Sequence, residues 1–91
     1  MYTVTDIISA IAKLESLEAV SNACDEAWER NPESSAAEAA FDEAYKAEWV
    51  QREACIVMIA EFTNHAIDTR TAGQLIKPDY RARLINAIHA V

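Results

Sequence analysis

Apolar residues recur along this chain every three or four positions, and a few sharp breaks cut that pattern into segments. This spacing lines apolar side chains along one side of a helix, because successive residues turn by about 100°. Ile7, Ile11 and Leu14 share one face of a first segment that runs to Arg30, where Asn31-Pro32 stops it. Thr5 is placed to cap its start, with Asp6 in the first turn to complement the helix dipole. Leu17, Val20, Cys24, Ala27 and Trp28 fall on a face rotated by roughly a third of a turn. Either the helix bends near Glu15 to Leu17, or its halves pack on different neighbours.

In the second segment Ser35 and Glu38 have the spacing of a capping box, in which each side chain bonds the other residue's free backbone N–H. Ala37, Phe41, Ala44 and Tyr45 form its first apolar face. The pattern blurs from Glu48 to Glu53 and resumes as CIVMIAEF. Two readings fit: one helix from about Ser35 to Asn64, or two with a break between Trp49 and Glu53. After Asn64 come the chain's only glycine, Gly73, and its second proline, Pro78. Pro78 suits the first turn of a terminal helix with Tyr80, Leu84, Ile88 and Val91 buried. Leu75 and Ile76 read as a short helix or turn beneath it.

Composition sharpens this reading. One glycine and two prolines in 91 residues leave material for few turns, whereas sheet proteins need many. The expected architecture is all-α: a single acidic helical domain over residues 1–91, with three to five helices and short connectors. A 52% hydrophobic content supports a folded core, although much of that fraction is alanine. Cys24 and Cys55 lack the spacing and number of a disulfide framework and read as small core hydrophobes. The start, MYTVTDII, lacks the basic and apolar regions of a signal peptide, and the longest apolar run is ACIVMIA. These features predict a cytoplasmic protein without a membrane partner.

Charge is the least even property of the chain. Residues 1 to 48 hold eleven acids and three bases, whereas residues 49 to 91 hold four acids and five bases. Glu15, Glu18, Asn22, Asp25, Glu26 and Glu29 fall within a sector of roughly 100° on the first helix. Glu33, Glu38, Asp42 and Glu43 add to this ridge if the first two helices fold back as a hairpin. A solvated face explains such charge. So does a surface that meets lysine and arginine on a partner, and like charges at helical spacing cost stability, which favours use. Trp49, at the edge of the apolar face and close to these acids, is the candidate interface anchor; Phe41 and Trp28 read as core.

Catalytic patterns are thin. Glu15-x-x-Glu18 and Glu26-x-x-Glu29 resemble the paired motifs of all-helical nucleotide pyrophosphatases, but both pairs lie on one helix, and a Mg²⁺ site needs pairs from different helices. His65, His89, Cys24 and Cys55 show no local metal-ligand spacing. Arg83 and His89 resemble the arginine–histidine motif of HEPN-type ribonucleases, with Leu84 where those enzymes carry a polar residue. Phosphate contacts need basic side chains, and excess acid is poor preparation for RNA. No catalytic residue, cofactor or metal is assigned.

The expected function is therefore a non-enzymatic binding module or inhibitor. Its acidic helical surface would dock on a basic site of a partner protein, such as a nucleic-acid-binding groove, without touching nucleic acid itself. In size, acidity and lack of catalytic motifs the chain is similar to the small inhibitors phages make against host defences, including anti-CRISPR proteins. That resemblance implies action in the host cytoplasm. The alternative is a helical scaffold or homodimer formed through apolar faces, and the third reading is a small helical ribonuclease or Mg²⁺-dependent enzyme.

Overall fold

The computed structural model describes all 91 residues and contains four α-helices and no strand. They are α1 (Val4–Arg30), α2 (Ser35–Phe62), α3 (Thr69–Leu75) and α4 (Arg81–His89), with a 3₁₀ turn at Pro78–Tyr80 leading into α4. The all-α expectation holds, at four helices. Helices α1 and α2 form a long antiparallel hairpin, and α3 and α4 cover one end of it. The molecule is accordingly elongated, at 48 × 21 × 21 Å.

Local chemistry sets the helix ends, one or two residues from where the pattern put them. Thr3, not Thr5, caps α1: its Oγ1 accepts from the Asp6 N–H at 3.1 Å, and Asp6 Oδ2 accepts from the Thr3 N–H at 2.9 Å. Ser34, not Ser35, caps α2, accepting from the Ala37 N–H at 3.1 Å. The tight turn after α1, closed by Ser34 N–H donating to the Asn31 carbonyl at 3.0 Å, delivers Ser34 to the cap. Glu38 then lies one residue too far along to complete a box. Helix α2 ends at Phe62, and Asn64 and His65 reverse the chain with φ of 52° and 62°. Thr63 stitches this reversal, donating to the Ile59 carbonyl at 2.9 Å and accepting from the Ile67 N–H at 3.1 Å.

No break interrupts α2 between Trp49 and Glu53. Three polar residues that blur the pattern there turn inward and find partners. Gln51 donates to the Ala10 carbonyl of α1 at 2.9 Å, and Arg52 meets Glu48 at 2.9 Å and Glu18 at 3.4 Å. A polar interruption that is satisfied internally is compatible with helix.

The core occupies the base of the hairpin. Ile7, Ile11 and Leu14 of α1, Cys55, Ile56 and Ile59 of α2, Ala72 and Ile76 beside α3, and Leu84 and Ile88 of α4 are buried together. None of these ten lies between Leu14 and Cys55. The two halves of α1 differ in their neighbours: the first packs in the core with α2, α3 and α4, whereas the second lies along α2 and reaches α4 through Glu18. Only Ser21 is buried within that second half; Leu17, Cys24 and Trp28 are half-buried, and Val20 is 52% exposed. Val20 and Ala27 therefore do not belong to a core face. On the last helix, Leu84 and Ile88 are buried but Tyr80 and Val91 are exposed, and Arg81 is buried instead.

Arg81 explains that exchange. Its guanidinium grips Glu18 with two bonds, Nη1 to Oε1 at 2.8 Å and Nη2 to Oε2 at 3.0 Å, and its Nε donates to the Ile76 carbonyl at 2.9 Å. The Arg81 hydrogen bond and charge, with Arg52 beside them, hold the Glu18 carboxyl below its ordinary range despite partial burial. One clasp thus joins α1, α2, the end of α3 and the start of α4 over the top of the core.

Removing one partner from a largely buried pair leaves the other charge stranded. Glu18→Gln is expected to cost about 2–4 kcal/mol of stability near neutral pH, measured by urea unfolding. Glu18→Leu combined with Arg81→Met should recover most of that loss. Because the folded-state pKa is depressed, the stability from Glu18 is complete above the unfolded-state carboxylate pKa and is lost as pH falls through the lowered folded-state value. Between about pH 6 and pH 3 the wild type should lose more stability than Glu18→Gln does.

Candidate functional site

The face of the hairpin that α3 and α4 cover at its base stays open above the clasp. On α1 this face runs through Ile7, Ile11 and Leu14 to Glu18, then to Asn22, Asp25 and Glu29 at the same helical spacing. On α2 it runs through Ile59, Ile56 and Arg52 to Trp49, Tyr45, Phe41 and Glu38. Both stripes change character at the same level: apolar below Glu18 and Arg52, acidic and aromatic above.

The aromatic side chains form a continuous row. Trp28 of α1 stacks on Phe41 of α2, with ring centroids 5.6 Å apart and planes at 28°. Phe41 meets Tyr45 at 5.7 Å, and Tyr45 meets Trp49 edge to face at 6.2 Å. Arg52 ends the row, its guanidinium 5.1 Å from the Trp49 ring centroid. Phe41, Tyr45 and Trp49 recur every four residues, so each step drifts about 40° round the helix. The row passes from half-buried Phe41 to Tyr45 and Trp49, each 44% exposed. Spacing alone could have revealed it, since 41, 45, 49 and 52 make successive helical neighbours.

The carboxylates divide into two groups. Glu18 leaves the predicted ridge: both its oxygens are engaged by arginines of this same chain, so it is a structural residue and not a surface for a partner. Nothing local in the sequence links Glu18 to Arg81, 63 positions away. Glu15, Glu26, Glu29, Glu33, Glu38, Asp42 and Glu43 are exposed, and Asp25 is half-buried. Of these, only Glu26 has a cationic partner, Arg30 at 3.9 Å on the open surface, a contact of little energetic weight. The arm thus presents carboxylates from both helices around an aromatic strip.

The remaining candidate chemistry does not converge. No three side chains among His, Cys, Asp and Glu gather closely enough to hold a metal ion. Arg83 lies over the exposed Tyr80 ring at 5.9 Å, and His89 sits at the exposed end of α4. Cys24 and Cys55 are free thiols, the latter buried and its pKa raised chiefly by desolvation. No helix is long and apolar enough to cross a membrane. No protein-family model matches the chain, and neither a curated protein nor a solved structure matches it.

The hairpin tip carries one internal cost. The indole N–H of Trp28 is buried without a hydrogen-bond partner. Trp28→Phe removes that unpaired donor while keeping a ring against Phe41, and should change stability by less than about 1 kcal/mol. Phe41→Ala, which breaks the row at its only contact with α1, should cost about 2 kcal/mol, less than for a fully buried ring. Thermal unfolding followed by circular dichroism distinguishes the two.

Proposed function

We propose that this chain is a non-enzymatic binding module that lays its acidic arm on a basic site of a partner protein and blocks that site. One observation carries the reading: the arm exposes unpaired carboxylates on both helices, around a half-exposed aromatic strip, on the face where packing from α3 and α4 stops. A basic surface or cationic helix placed there would continue the cover that α3 and α4 provide below. Carboxylates spaced along two helices meet lysine and arginine much as a phosphate backbone does, so a nucleic-acid-binding groove is the partner site with matching chemistry. Tyr45 and Trp49 would supply the apolar contact that charge alone lacks. Inhibition by occupancy needs no catalytic group, and the small anti-defence inhibitors of phages are proteins of this general type.

A second reading rests on a different surface. Val50 and Val57 stand seven residues apart along α2, 71% and 44% exposed. Two copies joined through this side would make a homodimer and leave the arms free. Light scattering separates the cases: a mass near 10.1 kDa denotes a monomer and one near twice that the dimer.

The test of the main reading is affinity capture from a nuclease-treated lysate with two baits, wild type and Asp25→Lys/Glu29→Lys/Asp42→Lys. Wild type should retain a basic nucleic-acid-binding protein that elutes as salt rises, because screening contracts from about 10 Å at 0.1 M to about 3 Å at 1 M. The reversed bait should keep its helicity and bind that protein at least about tenfold more weakly. Equal retention by both baits returns these carboxylates to the role of a solvated face.

A further inference from the structure

Beside the arm, and opposite to it in charge, lies a groove of about 400 Å³ between α2 and the α3–Pro78 segment. Its walls are two stripes with the same spacing. One is Trp49, Arg52, Glu53 and Ile56; the other is Arg70, Gly73, Gln74 and Lys77. The first is a single face of α2; in the second, Arg70, Gly73 and Gln74 share a face of α3, and Lys77 follows in extended backbone past its end. Three of the eight lysines and arginines of this acidic protein converge here, against one carboxylate, Glu53. Arg70 and Lys77 form no ion pair within the chain, whereas Arg52 is held in place by Glu48 and Glu18. Lys77 Nζ donates to Gln74 Oε1 at 3.0 Å, which steadies the ammonium at the rim.

Gly73 lines this space. It is the only glycine in the chain and sits inside the seven-residue α3, where glycine is the poorest helix former after proline. Neither usual reason for glycine applies. Its φ is not positive, and a Cβ there would meet only Ile56 Cδ1, at 3.8 Å, an ordinary contact. The missing side chain instead leaves the groove open over Ile56, with cations on either side. The volume lies within the range of small-molecule sites.

We propose that this groove binds a small polyanion, a phosphate ester or a polycarboxylate. Its charged groups lie between Arg52, Arg70 and Lys77, and its carbon frame rests over Gly73 and Ile56 toward Trp49. The proposal does not depend on the acidic arm, and its test reads different residues.

The lone glycine gives an unambiguous backbone signal in a ¹H–¹⁵N spectrum, and the Trp49 indole reports the other wall. Uniformly labelled protein is titrated separately with inorganic pyrophosphate, AMP and citrate at low ionic strength. Saturable shifts of the Gly73 amide and the Trp49 indole are expected with at least one probe. Response to AMP but not citrate assigns a phosphate ester, with pyrophosphate reporting recognition of phosphate charge alone, and response to citrate alone assigns a polycarboxylate. Arg70→Ala/Lys77→Ala, at two exposed positions, should weaken binding at least about tenfold. Gly73→Leu should fill the groove and abolish the response, and Gly73→Ala should raise the melting temperature by about 4–8 °C. Failure of all three probes to produce saturable shifts overturns the proposal, as does an unaltered response in Arg70→Ala/Lys77→Ala.

Discussion

The bidentate grip of Arg81 on Glu18 is the contact on which the arrangement of this molecule depends. A nine-residue helix such as α4 has too few hydrogen bonds to persist alone in water, and α3 is shorter still. Both are held by what they bury and by this clasp. Arg81 reaches Glu18 with one edge and the Ile76 carbonyl with Nε, so a single guanidinium fixes the entry to α4 and the exit from α3 against α1. Arginine suits the task because its planar fork satisfies a carboxylate in one geometry and stays charged at any relevant pH.

The clasp also marks a physical boundary. Below it, isoleucine and leucine pack together in the core; above it, only α1 and α2 remain in contact, through the small buried Ser21 and half-buried side chains. Two helices alone cannot surround each other's apolar sides, so an arm of this kind needs small or aromatic residues along its seam and polar ones elsewhere. The sequence meets that need with alanines and the Trp28–Phe41–Tyr45–Trp49 row. Carboxylates outnumber Arg30 and Lys46 among the exposed positions that remain.

Charge therefore separates in space more sharply than it does along the chain. Of the cations that balance the C-terminal half, Arg52 and Arg81 are turned inward onto Glu48 and Glu18. Arg70 and Lys77 instead line the groove beside α3 with Arg52. An acidic arm and a cationic groove meet at Trp49 and Arg52, where one aromatic ring borders both. The arm offers a long surface, whereas the groove is a compact space lined by Arg52, Arg70 and Lys77.

Much of this was legible in the residues alone. Scarcity of glycine and proline, with apolar spacing of three to four, implied an all-helical chain, and Asn31-Pro32 marked the hairpin turn, because these are local backbone constraints. The acidic imbalance and the exposure expected of Trp49 were likewise visible, being counts and helical phases. Tertiary structure alone decided which polar residues are internal. Glu18 looks like any other member of the ridge until Arg81, 63 residues away, is brought against it. Gln51 and Arg52 look like a helix break until their partners on α1 appear. For Glu18, Gln51 and Arg52 the deciding interaction spans distant parts of the chain, and local pattern carries no information about it.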